Sequence, residues 1–130
     1  MATLLLIEDE DSIREGLRDR LLSKGYQVLE APNGRVGIKL FRDYHPDVVI
    51  TDIVMPEKDG LEVIMEVRKE KPGQCIIAMS AEKAGGMNLN VLNIARKLGA
   101  SAALVKPFDF AALSSAIEEC LNPKTQSPAS

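Results

Sequence analysis

The sequence predicts an α/β fold in which a parallel sheet carries helices on both faces. Two observations lead there. Five short apolar runs alternate with five amphipathic stretches, and the connections between them are only a few residues long. Four of the runs are continuously apolar, the pattern of strands covered on both faces. Regular strand–helix alternation argues for parallel strands linked by right-handed crossovers.

The first run is TLLLI (3–7), followed by a helix on which Ile13, Leu17 and Leu21 recur every four residues. Ser12 and Glu15 have capping-box spacing just ahead of that stripe. YQVLE (26–30) is the most polar run, which places it at a sheet edge. Asn33 then opens a second helix carrying Val36, Leu40 and Tyr44. VVIT (48–51) is the third strand. Asp59 caps a third helix with Leu61, Ile64 and Met65, and Glu62 sits at the reciprocal capping position. IIAM (76–79) leads to a stripe of Leu92, Ala95 and Leu98, with Gly99 as a stop signal. AALV (102–105) is the last strand. Asp109 opens the last helix, on which Leu113, Ala116, Ile117 and Cys120 share a face. Residues 1–121 thus read as one domain, and 122–130 (NPKTQSPAS) as a flexible tail or the start of a linker.

Composition narrows the function classes. Apolar residues make up 45% and charged residues 27% of the 130, the balance of a globular domain. The net charge of −3 lacks the basic footprint of a nucleic-acid binder. No apolar run approaches the ~20 residues of a membrane span, and the start of the chain does not resemble a signal peptide. A cytoplasmic location is expected. Cys75 and Cys120 have neither metal-like spacing nor company, so both are expected to serve as small core residues.

Open parallel sheets bind ligands beyond the carboxyl ends of their strands. Glu8 and Asp9 follow the first strand, Asp52 the third, Ser80 the fourth and Lys106 the fifth. A carboxylate ending the apolar run VVIT is costly to bury without a cation. Three carboxylates at one edge also repel, and oxygen-only ligands favour a hard ion, Mg²⁺ or Mn²⁺. Lys106 and Ser80 suit phosphate oxygens rather than a metal. An aspartate is also a possible nucleophile, forming an aspartyl phosphate. Taken singly, these residues have plainer readings as caps, turn residues and a solvated lysine. The signal is their convergence on one edge.

Together these residues resemble the receiver domains of bacterial two-component response regulators, over about residues 3–121. LLLIEDE looks like the acidic-pair strand, VVITDIVMPEKDG like the phosphoacceptor strand and its loop, IIAMSA like the Ser/Thr switch strand and LVKPF like the Lys-Pro strand. The resemblance implies a flavodoxin-like, doubly wound five-stranded sheet in the order 2-1-3-4-5, with five helices. It implies that Asp52 is phosphorylated and that Glu8, Asp9, Asp52 and the Val54 carbonyl hold Mg²⁺, Glu8 through water. Ser80 and Lys106 would contact the phosphoryl group, and the Lys106–Pro107 bond would be cis. A histidine kinase or histidine phosphotransfer protein would be the donor. An effector would dock on the face of helix 4, strand 5 and helix 5, on a monomer or a phosphorylation-dependent dimer. The domain would catalyse only its own phosphorylation and dephosphorylation. One position departs from the family: Ala103 stands where an aromatic residue often couples phosphorylation to that face. A loop-ordering transition in AEKAGGMN (81–88) is expected to take its place.

Other functions fit less well. A flavodoxin-like small-molecule binder needs a phosphate-cradling loop after strand 1, where IEDEDS repels anions. A phosphatase with an aspartate nucleophile needs a second acid two residues on, where Val54 stands. The remaining alternative is an interaction scaffold that works without phosphorylation.

Overall fold

The computed structural model describes residues 1–55, 58–81 and 87–122. Five strands, β1 (Thr3–Ile7), β2 (Gln27–Ala31), β3 (Val48–Asp52), β4 (Cys75–Ala81) and β5 (Ala102–Lys106), alternate with five helices, α1 (Asp11–Ser23), α2 (Gly34–Tyr44), α3 (Gly60–Glu70), α4 (Met87–Leu98) and α5 (Phe110–Leu121). All the strand pairs are parallel. The order is β2-β1-β3-β4-β5, as the resemblance implied. The polar run β2 is indeed an edge strand. The glycine pair of the 81–88 segment, Pro56 and residues 123–130 of the tail lie outside the described residues.

Side-chain alternation along the strands divides the core into two layers. Leu5, Ile7, Val49, Ile76 and Ala78 pack with α2, α3 and α4 through Ile38, Phe41, Val63, Ile64, Val67, Leu92 and Ala95. Leu4, Leu6, Val48, Ile50, Ile77 and Met79 pack with α1 and α5 through Leu21, Leu113 and Ile117. Each such fully buried aliphatic side chain contributes about 1.5–3 kcal/mol from area removed from water. Ala103 joins the α4-side layer, partly buried.

Several local expectations change. The α1 N-cap is Glu10, without a side-chain cap bond, so the Ser12–Glu15 capping box does not form. The Arg14 guanidinium binds Asp11 and the Glu8 carbonyl instead, and the helix begins two residues earlier than the capping box implied. The buried stripe of α2 is Gly34, Gly37, Ile38 and Phe41, while Tyr44 is exposed. Gly37 brings α2 against the Ile7 side chain, and this close approach rotates the helix. On α3, Val63, Ile64 and Val67 are buried and Met65 is exposed. The caps at Asn33 and Asp59 form as expected, accepting from Val36 N and Glu62 N at 2.9 and 3.0 Å. Gly99 ends α4 at φ +124, a left-handed conformation open to glycine.

The largest correction concerns the cysteines, which are joined rather than independent. Cys75 opens β4 and Cys120 lies in the last turn of α5, with Cα atoms 5.9 Å apart. The crossover topology brings a strand's start and the last helix's end to one edge, a proximity that a separation of 45 residues conceals.

Candidate functional site

β1, β3, β4 and β5 all deliver chemistry to the opposite edge. Ile7 pairs with Thr51, Asp52 with Met79, and Ala81 with Lys106, so the strands end nearly level. Asp9, Asp52, Val54, Ser80 and Lys106 line one cleft of about 200 Å³. Glu8 lies beneath it, fully buried. All six residues singled out from the sequence therefore meet in one place.

The buried Glu8 carboxylate is held from two sides. Lys106 Nζ donates to Oε1 at 2.6 Å, and the Glu10 backbone N–H donates to Oε2 at 3.1 Å. Lys106 Nζ also lies 3.4 Å from Asp52 Oδ2. Burial works against the lysine's charge, but the hydrogen bond to Glu8 and the nearby Asp52 charge outweigh it and raise its pKa. The Lys106–Pro107 peptide is cis.

Asp52 is 7% exposed. Its Oδ1 accepts from the Ile53 N–H at 3.0 Å, which orients the carboxylate and leaves Oδ2 toward Lys106. Burial, followed by the Glu8 charge, pushes its pKa up to about 7, against the opposing pull of Lys106. Burial also raises the Asp9 pKa, with Glu8 adding to the effect. The site is thus an acid cluster short of positive charge.

One carboxylate oxygen from each of Glu8, Asp9 and Asp52 lies within 4.8 Å of the others. Three carboxylate oxygens this close form the kind of donor set that suits a hard cation such as Mg²⁺. Val54 borders the same cleft and is half-exposed. The Ser80 hydroxyl is fully buried and has no hydrogen-bond partner among the described residues. An unpartnered buried hydroxyl calls for an explanation, and a ligand oxygen in the cleft would supply the missing partner.

Two supports escaped sequence reasoning. The Ile53 N–H contact to Asp52 is backbone and leaves no signal. Gly60 lies directly beneath the end of β3: a Cβ there would meet the Asp52 carbonyl oxygen and stand 2.6 Å from Ile53 Cα. Its own N–H donates to the Ile53 carbonyl at 2.8 Å. Asp59 was legible as a helix cap, but the backbone contact of the glycine after it was not.

A doubly wound parallel sheet with clustered acids and one lysine at its strand ends defines a class: α/β proteins that gather carboxylates and a lysine in one cleft beyond the carboxyl ends of their strands. Comparison with known proteins narrows it. The family described as "Response regulator receiver domain" matches residues 4–118, and the chain belongs to that family. It is 36% identical to the chemotaxis protein CheY of Thermotoga maritima over 81% of this chain and 85% of that protein. It is 34% identical to the regulatory protein AtoC of Escherichia coli over 91% of this chain but only 25% of AtoC. The chain thus spans a quarter of that longer relative. A solved receiver domain from Clostridium thermocellum superposes with a TM-score of 0.88 at 32% identity, over 97% of this chain and 98% of that one. The response regulator TrrA of Thermotoga maritima, solved with Mg²⁺ and BeF, superposes with a TM-score of 0.80 at 32% identity, over 92% and 99% of the two chains.

Proposed function

We propose that this chain is the phosphoacceptor of a two-component phosphorelay, taking a phosphoryl group on Asp52 from a histidine kinase or histidine phosphotransfer protein. The observation that carries the reading is the convergence on Asp52. Two acids and a lysine surround a carboxylate that is oriented by a backbone N–H and open on one side. Glu8, Asp9, Asp52 and the Val54 carbonyl would hold Mg²⁺, or Mn²⁺ in its place. When bound, the cation would offset the charge that develops on the transferring oxygens.

The rest follows from the chain's own groups. One Asp52 oxygen attacks phosphorus, the donor's P–N bond breaks, and the imidazole leaves and takes up a proton. Lys106 releases Glu8 to pair with a phosphoryl oxygen, and the Ser80 hydroxyl donates to another. A groove of about 410 Å³ along Ile13, Leu17, Pro107 and Phe108 shares Glu10, Ala81 and Lys106 with the Asp52 cleft. A donor seated in that groove would present its phosphohistidine to Asp52. The phosphorylated state would be read on the α4–β5–α5 face, with Ala103 leaving room where a bulky switch residue would stand.

The chain turns over no external substrate on this reading, catalyses only its own phosphorylation and dephosphorylation, and works in the cytoplasm. The test is transfer of radiolabelled phosphoryl from a phosphorylated histidine phosphotransfer protein to this chain with Mg²⁺. Transfer to wild type and none to Asp52→Asn is expected. Specific binding to the donor without transfer would favour the phosphorylation-independent scaffold.

A further inference from the structure

We propose that Cys75 and Cys120 are a reversible thiol–disulfide couple, set by low-molecular-weight thiols and disulfides, that staples the end of α5 to the base of β4. The pair has no part in the Asp52 site. Cys75 begins β4 while Ser80 lies near its end, five residues on, or roughly 17 Å along the strand.

Three features carry the proposal. The Cα separation of 5.9 Å lies at the usual value for a disulfide, so the bond closes without moving the backbone. Both cysteines are only partly buried and line an open cleft of about 330 Å³ with Gly73, Ser101, Ala102 and Glu119, so a small thiol reaches them. None of the described residues lining that cleft is a cation, and one, Glu119, is an acid. The described lining thus supplies no positive charge beside the thiols, and exchange with a low-molecular-weight disulfide is the chemistry that the open cleft fits.

The exchange balances in two steps. One cysteine thiolate attacks the small disulfide, forming a mixed disulfide and releasing one thiolate. The second cysteine attacks the protein sulfur of that mixed disulfide and releases the other. Two protein thiols are oxidised, one small disulfide is reduced to two thiols, and the protons pass to the leaving thiolates. The second step is intramolecular between sulfurs already adjacent, which favours closure over a lasting mixed disulfide.

The structural consequence falls on α5. Leu113 and Ile117 hold that helix to the sheet, and Cys120 lies in its last turn beside Leu121, which also packs against the core, just before the chain leaves at Asn122. Closing the bond anchors the last turn, and opening it leaves that turn to packing alone. Redox state thereby becomes an input to α5 that is separate from Asp52.

The test equilibrates the full wild-type chain in glutathione buffers from fully reduced to fully oxidised, then alkylates it and measures intact mass. The expected result is a shift from two alkyl adducts to none, independent of protein concentration and reversed by dithiothreitol. Amide exchange across 117–121 should slow about tenfold or more in the oxidised form, and phosphoryl acceptance should stay within about twofold. Cys75→Ser should instead accumulate a glutathione adduct on Cys120. Persistent mixed disulfides on the wild type, crosslinked dimers, a bond that no reducing buffer opens, or unchanged exchange in α5 would each overturn the proposal. The wild-type readouts decide it even if the serine variant fails to fold.

Discussion

Replacing Asp52 by Asn should make the metal-free protein more stable while abolishing its proposed chemistry. The carboxylate lies within 4.8 Å of two others, and Lys106 sits closer to Glu8 than to Asp52. The folded carboxyl ionises at about 7 rather than 3.8 because burial and Glu8 disfavour its charge. At 1.36 kcal/mol per unit, that difference corresponds to about 4 kcal/mol. The open side of the cleft screens part of it, so about 2 kcal/mol is the working expectation. Asn keeps the shape and the oxygen that accepts from Ile53 but carries no charge. A raised carboxyl pKa means that the folded state binds its proton more tightly than the unfolded chain does. Wild type therefore loses ground as pH rises from 3.8 towards 7, and the full gain for Asn appears above that window. Thermal unfolding in chelator at about pH 8 should show a Tm higher by roughly 8 °C for the variant, shrinking towards zero near about pH 4. Mg²⁺ should close the gap by stabilising wild type alone. A variant less stable than wild type at the higher pH, without metal, would refute the reasoning.

Other substitutions test the supports of the site. Lys106→Ala leaves a fully buried Glu8 facing two acids, so urea unfolding should show a loss of about 3 kcal/mol, part of it recovered in Mg²⁺. The ion pair with Glu8 gives this lysine a part in the fold beside its proposed part in the chemistry. Asp9→Asn should weaken Mg²⁺ binding in titration about tenfold, some 1.4 kcal/mol, with little change in fold stability. Unaltered affinity would remove Asp9 from the ligand set. Gly60→Ala pushes a methyl group into the Asp52–Ile53 backbone and should cost about 2 kcal/mol while slowing phosphorylation. Equal stability and rate would mean that the loop yields freely.

The legible parts of this protein were those written in local pattern. Three of the four continuously apolar runs became the buried strands β1, β3 and β4, while the fourth, β5, is a partly buried edge strand. The candidate residues stood at or just past strand ends, so topology alone gathered them. Asn33 and Asp59 were readable as caps because capping is a matter of two or three neighbouring residues. What could not be read depends on packing between distant elements. Gly37 against Ile7 decides which face of α2 is buried, and helical spacing could not foretell it. Arg14 reaches the Glu8 carbonyl and displaces a capping box that the local sequence favoured. The Cys75–Cys120 link joins the first residue of one strand to the last turn of a helix three elements later. The Ile53 N–H that orients Asp52 is a backbone group common to every residue but proline, so no side chain announces it.

The central claim is that Asp52 accepts a phosphoryl group with help from a divalent cation. The most direct measurement is the intact mass of the protein after incubation with a small-molecule phosphodonor, with and without Mg²⁺, for wild type and Asp52→Asn. The account predicts a single phosphoryl adduct on wild type that requires Mg²⁺ and is absent from the variant. A folded wild type that binds Mg²⁺ yet gains no adduct, or an adduct that persists in Asp52→Asn, would contradict it.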